Sequence, residues 1–388
     1  MCNSLIQKQM TGFTMLHDAL LQYYLNISPE SEQAAEFMEI VKGDETGDLM
    51  KNMAFTKSGA RLLCLLLAYG TPKDRKHILR ALKDSTLLMC ADQHAHLVIL
   101  AAYDVIDDTV LTSKTIFPEL LGKEEEKVAQ NVLDHVNNLN ARITIQYLFE
   151  GMSKALFPAS HATDLEVLKE VHKIRETTSK KDPQIRQREL AAAISPHLLK
   201  AISKAPLELA STSFGCQFLA EILLGAPGEK IQALEAIAAV AAGDPTAEPE
   251  KDETGLEKPL HIAQTPYGAK MLRALIAGGK FDKAVGRVIQ VEPPLRFADI
   301  LYPVIEDHVV KWASGPSSFV VLNILEADDF SSAESLKQTL LKHKEVLESA
   351  ATPAAVATGT KQDGKGKKGD GSEKPRGNAG ARLLLERL

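Results

Sequence analysis

The stretch Phe55-Thr-Lys-Ser-Gly59-Ala-Arg61-Leu-Leu-Cys64-Leu-Leu-Leu67 decides the fold of this chain. A small residue opens a helix, basic and polar side chains follow at once, and a leucine stripe completes it. The same order returns at Ser213-Phe-Gly215-Cys-Gln217-Phe-Leu and at Pro266-Tyr-Gly268-Ala-Lys270-Met-Leu. Recurrence of one helical unit is the signature of an α-solenoid, in which each repeat buries its apolar face only against its neighbours. Aligned on the small residue, the second helices of seven units start at Gly12, Gly59, Ala95, Ala141, Gly215, Gly268 and Ser317. The step from Gly59 to Ala95 fits one two-helix repeat, and longer steps imply insertions.

Between anchors the punctuation is proline. Thr71-Pro72 ends the Leu62–Tyr69 helix and opens the next, from Lys73 to Lys83, with Ile78, Leu79 and Leu82 at helical spacing. Phe117-Pro118 and Phe157-Pro158 read as helix ends, and Ser28-Pro29 as a start with Ser28 the cap. Residues 161–190 carry a run of Lys and Arg, including Lys180 and Lys181, and read as a charged helical insertion or a degenerate repeat whose charges form a solvated face. Residues 243–258 read as a mobile acidic loop, and 350–388 as a disordered basic tail. The remaining blocks, 1–160 and 191–349, hold the repeats.

Composition agrees with helices: apolar residues make up 45% but aromatics only 5%, a mix that favours Leu- and Ala-rich helices over sheets. A net charge of -6 confines any phosphate binding to a local basic face. Cys2, Cys64, Cys90 and Cys216 are far apart, form no Cys-x-x-Cys pair, and read as reduced thiols of an intracellular protein. No signal-peptide core and no span long enough for a bilayer is present in the sequence.

Chemistry-bearing motifs are weak. Gly359 to Gly366 imitates a phosphate loop without the Ser or Thr after its lysine. Cys90, His94 and His96 hint at a metal, but a second cluster to complete four ligands is missing, and His-Ala-His at a helix start sends its imidazoles to different faces. Asp104, Asp107 and Asp108 are spaced as an acid/base pair would be, yet they lie at a helix end where capping and solvation account for them. The expectation is a binding protein with no cofactor and no metal, not an enzyme.

Three segments carry a family likeness: Lys8-Gln-Met-Thr-Gly12-Phe-Thr-Met-Leu-His17-Asp, Gln93-His94-Ala-His96 through Asp104 to Asp108, and Leu139-Asn-Ala-Arg142 leading into Tyr147-Leu148. They resemble the penguin-type Pumilio-like nucleolar proteins with a C-terminal Pumilio-like (CPL) domain, over roughly residues 4 to 350. The resemblance implies an all-α solenoid of divergent Pumilio, armadillo-like repeats. It also implies binding of RNA or DNA with little sequence preference, a role in large-subunit ribosome biogenesis with pre-rRNA and pre-60S assembly proteins as partners, and a nuclear, nucleolar site of action. A link to mRNA translational regulation and a monomeric state belong to the same expectation. Against the family pattern, the chain opens in what reads as the middle of a repeat, which suggests an N-terminally truncated chain.

Sequence-specific Pumilio repeats read one base per repeat with side chains on the second helix. The equivalent positions here include Phe13, Thr14 and His17; Ala60, Arg61 and Cys64; His96, Leu97 and Leu100; and Ala269, Lys270 and Arg273. No unit holds a full code, so contact with the phosphate backbone is expected instead. The candidate nucleic-acid residues are Lys57, Arg61, His94, His96, Arg142, Lys180, Lys181, Gln217, Lys270 and Arg273. The competing expectation is a protein-binding scaffold of HEAT or armadillo type.

Overall fold

A computed structural model of the protein describes residues 10–44, 46–248, 259–328, 330–352 and 377–388. The chain divides into two units, Met1–Ala205 with Gly225–Glu229, and Pro206–Leu224 with Lys230–Leu388.

The first unit holds α1 (Thr14–Leu25), α2 (Glu32–Lys42), α3 (Asp48–Ala54), α4 (Lys57–Tyr69), α5 (Pro72–Ala81), α6 (Thr86–Ala91), α7 (His96–Val105), α8 (Thr109–Leu120), α9 (Glu125–Asn137), α10 (Leu139–Glu150), α11 (Ala162–Thr178) and α12 (Pro183–Lys204). The helices opened by the anchor residues form a row, α1 on α4, α4 on α7 and α7 on α10, and α2, α5 and α8 form a second row beside it. This is the paired-helix stacking that the repeat predicts.

The second unit holds α13 (Pro206–Ala210), α14 (Ser213–Gly225), α15 (Ile231–Ala239), α16 (Pro266–Ala277), a hairpin of β1 (Gly279–Asp282) and β2 (Arg287–Gln290), α17 (Phe297–Ile305), α18 (Val309–Ser314), α19 (Ser318–Leu325), α20 (Ala333–Lys342), α21 (Lys344–Ala351) and α22 (Ala379–Arg387). Here α16 packs on α19 and α19 on α22. The hairpin is antiparallel, with Lys280 opposite Ile289 and Phe281 opposite Val288. Its β-branched Val288 and Ile289 account for the strand, which a helix-repeat reading passes over.

One local device sets five of the seven anchors. The amide N–H of Gly59, Ala95, Ala141, Gly215 and Gly268 donates to a cap side chain three residues earlier: Thr56, Asp92, Asn138, Thr212 and Thr265. The anchor must be small because the preceding turn passes directly over it. A Cβ on Gly59, Gly215 or Gly268 would collide with the backbone of Met53, Leu209 or Ile262. Past the anchor, α4 is buried continuously from Leu62 to Ala68, which marks a helix enclosed on all sides. Burying each such leucine contributes about 1.5–3 kcal/mol.

Several expectations change. Pro118 lies inside α8, near its end. The carbonyl it leaves without a donor belongs to exposed Lys114, where water serves. The cap of α2 is Ser31, whose side chain accepts from Ala34 N–H, not Ser28. Ser28 instead accepts the Ser31 hydroxyl through its carbonyl. The chain after Phe157-Pro158 enters a short 3-10 turn, Ala159–His161, and the helix before it has already stopped at Glu150.

Residues 161–190 are solvated on one face, where Lys169, Lys173, Lys180 and Arg188 are exposed, and packed on the other: α11 lies on α4 and α7, and α12 on α7, α8, α9 and α10. The break between units falls at Ala205–Pro206. Residues 377–388, assigned from sequence to the disordered tail, contain α22, which buries Ala381 and Leu384 against α19 and α21. Residues 353–376 of that basic tail, with the Gly359–Gly366 motif among them, residues 249–258 of the acidic loop and Cys2 lie outside the described residues. Within the described part of the loop, Asp244 pairs with Lys311 and accepts the Thr246 N–H.

Candidate nucleic-acid interface

The first unit buries most of the face that sequence reasoning assigned to nucleic acid. In α7 every residue from His96 to Val105 is buried, and in α10 every residue from Ala141 to Leu148. The cause is the charged segment itself, because α11 and α12 lie over these helices.

Two acids anchor that cover. Asp104 on α7 is buried and accepts from the Tyr147 hydroxyl at 2.6 Å and Arg175 at 3.1 Å, with His172 Nε2 at 2.7 Å. Asp107 binds the Ser179 hydroxyl, the Lys180 N–H at 2.9 Å and Arg186 at 2.6 Å. Burial alone would raise the Asp107 carboxyl, but these donors outweigh it and hold the group down at about 2. Asp108 caps α8 through Leu111 N–H, so capping holds for this aspartate and not for the other two.

Arg75 joins the same region. Its buried guanidinium donates to the carbonyls of Leu67 and Ala68 at the end of α4, Val105 at the end of α7 and Thr178 at the end of α11. A cation set among helix C-termini satisfies carbonyls that have no partner within their helices.

The predicted residues therefore separate. His96 is fully buried and Arg142 is 8% exposed, with Arg142 donating to the Val136 carbonyl, so neither is placed to touch nucleic acid. Burial lowers the Arg142 pKa. His17, at a base-code position, is also buried between Thr56 Oγ1 and the Thr11 carbonyl. Arg61 is half-buried and pairs at 3.2 Å with Glu170 of α11. Lys57, Arg61 and His94 line a cleft of about 530 Å³ that α11 closes with Asp164, Glu166 and Glu170. Lys181 pairs with Glu189 at 2.6 Å, while the Lys180 side chain is exposed.

The second unit keeps its anchor helices open. Gln217 on α14, and Lys270 and Arg273 on α16, are exposed. The Arg273 guanidinium lies 5.2 Å from the centre of the Phe319 ring on α19 and donates to Asn323 at 3.0 Å. Two further residues were missed from the sequence. Arg382 on α22 is exposed within Gly380-Ala-Arg382-Leu-Leu384, a repeat of the Gly59–Leu63 pentapeptide that was legible all along. Phe214 on α14, 47% exposed, stands one residue before its anchor, as Tyr267 does on α16.

A family model described as the CPL (NUC119) domain matches residues 137–286. "Pumilio homology domain family member 6" of Schizosaccharomyces pombe is 31% identical over 342 residues, which cover 88% of this chain and 49% of the relative. The chain belongs to the Pumilio-like family with a CPL domain. "Pumilio homolog 3" of Homo sapiens is 30% identical over 275 residues, 71% of this chain and 38% of that protein. This Pumilio-like chain thus spans about half the length, or less, of these curated relatives. Among solved structures, human Puf-A matches with a TM-score of 0.73 and 26% identity, covering 100% of this chain and 64% of that one. Human Puf-A in complex with DNA matches with a TM-score of 0.69 and 28% identity, covering 87% and 60%. Among the described residues no helix is long and apolar enough to cross a membrane.

Proposed function

We propose that this Pumilio-like protein binds single-stranded RNA or DNA through the sugar-phosphate backbone, with its main contacts in the second unit. The observation that carries this reading is the set of exposed side chains on helices of this unit: Gln217 on α14, Lys270 and Arg273 on α16, Arg382 on α22. Phe214 adds an exposed ring of the kind on which bases stack. The likeness to Puf-A, solved with DNA, supports the same reading. No complete base code is present, so cations supply affinity and sequence preference is weak.

On this reading the protein acts on pre-ribosomal RNA during large-subunit assembly in the nucleolus, beside assembly proteins, and a role in mRNA regulation follows the same chemistry. The protein-scaffold alternative draws on the first unit, where Asp164, Glu166 and Glu170 offset the cations of the cleft. Polarisation titrations with labelled single strands of unrelated sequence, repeated at rising salt, separate the two. Backbone binding gives affinities that agree across sequences and fall steeply with salt. An affinity independent of salt, or no binding at all, would refute it.

A further inference from the structure

The fold brings together three side chains that are far apart in sequence. His96 opens α7, His161 closes the short turn before α11, and Asp164 lies in the first turn of α11. One ligand atom from each lies within 4.8 Å of the others. His96 Nε2 is 3.4 Å from Asp164 Oδ2, and His161 Nε2 is 4.0 Å from the same oxygen. Ligand atoms around a tetrahedral zinc ion, with bonds of about 2.0–2.2 Å, are separated by roughly 3.4 Å, so a small contraction brings the three into range.

The arrangement at His96 calls for a positive charge beside Asp164. His96 Nδ1 is 2.9 Å from the Asp92 carbonyl, an acceptor only, so Nδ1 carries the proton and donates it. In the neutral ring Nε2 then has a lone pair. His96 is fully buried, and its Nε2 has no hydrogen-bond partner although the Asp164 carboxylate is close. A lone pair facing a carboxylate in a buried site is unfavourable unless a proton or a metal ion sits between them. A backbone carbonyl on the far ring nitrogen is also the arrangement that orients metal-binding histidines.

The second imidazole has a partner on each ring nitrogen. Ser160 Oγ stands 3.1 Å from His161 Nδ1, an acceptor for its N–H when Nε2 serves as a ligand. The Asn140 amide is oriented by its donation to the Ala91 carbonyl, so its Oδ1, 3.0 Å from His161 Nε2, accepts the N–H of that nitrogen, and binding a metal there moves the proton to Nδ1 beside Ser160 Oγ. The Asn140 oxygen is then placed to complete the coordination or to hold a metal-bound water. His161 and Asp164 line the cleft of about 530 Å³, which provides the entry path.

We propose that His96, His161 and Asp164 form a binding site for one divalent transition-metal ion of the zinc class, joining the start of α11 to α7. Two imidazoles and one carboxylate suit zinc better than magnesium or calcium, which take oxygen ligands. The ion is a staple, not a catalyst: it fixes the helix whose Glu170 pairs with Arg61.

The test uses the full chain, stripped of metal by chelator and dialysis, then titrated calorimetrically with zinc chloride and separately with magnesium chloride. The expected result is one zinc per chain, an upward shift of the thermal midpoint on binding, and no response to magnesium. Asp164→Asn and His161→Gln each weaken zinc binding by about tenfold or more while circular dichroism stays helical. Should either variant lose its fold, histidine-selective NMR of the unaltered chain decides, since zinc must shift the ring signals of His96 and His161. A folded chain that takes up no zinc, variants that bind as the parent does, or ring signals that stay in place would each overturn the proposal.

Discussion

Arg75 is the residue whose role is least like its appearance in the sequence. On a plot of α5 it is one basic residue among several, yet it is 2% exposed and donates to carbonyls at the ends of α4, α7 and α11. Arg75→Met keeps much of the volume and removes every donor, leaving buried carbonyls without partners at about 1–3 kcal/mol each. We expect a loss of about 3 kcal/mol or more in urea unfolding of the full chain, with the first unit melting earlier. The neighbouring exposed change Lys76→Met should lie within about 0.5 kcal/mol of the parent. The anchors, by contrast, were readable residue by residue: a small side chain three positions after Thr, Asp or Asn is a local rule, and it holds at Gly59, Ala95, Ala141, Gly215 and Gly268.

At the scale of the element, the helix pair α11–α12 shows how a charge run misleads. Seven cations between 169 and 188 suggest a wet surface, but Arg175 and Arg186 turn inward to Asp104 and Asp107. Charge spacing along a helix says which side chains share a face, not which face meets another helix. The acid response follows. The folded Asp107 carboxyl is held at about 2, below the unfolded value, so its contribution is complete above about pH 4 and is lost as pH falls from about 4 towards 2. Asp107→Asn should therefore be less stable than the parent at neutral pH, and the difference should shrink across that window. Parallel denaturant titrations at several acidic pH values check this, and a constant difference would contradict it.

For the molecule as a whole, the candidate nucleic-acid residues sort by burial. Lys270→Glu with Arg382→Glu, both exposed on anchor helices of the second unit, should weaken single-strand binding at least tenfold and reduce its salt slope by about two, since each removed phosphate contact lowers the slope by about one. Arg142→Ala, changed at a buried site, should lower thermal stability and leave the slope unaltered, as measured in the same polarisation titration. The amino-acid sequence alone determined the helical class, the anchor positions, most helix starts and the lack of a base code, because caps, small residues and leucine spacing act within one turn or one repeat. Only the tertiary structure decided that α11 and α12 cover the first unit, that Arg142 and His96 are buried, and that His161 and Asp164 supply the partners which Cys90 and His94 do not. Those outcomes depend on which helices meet across tens of residues, and no local spacing encodes that choice.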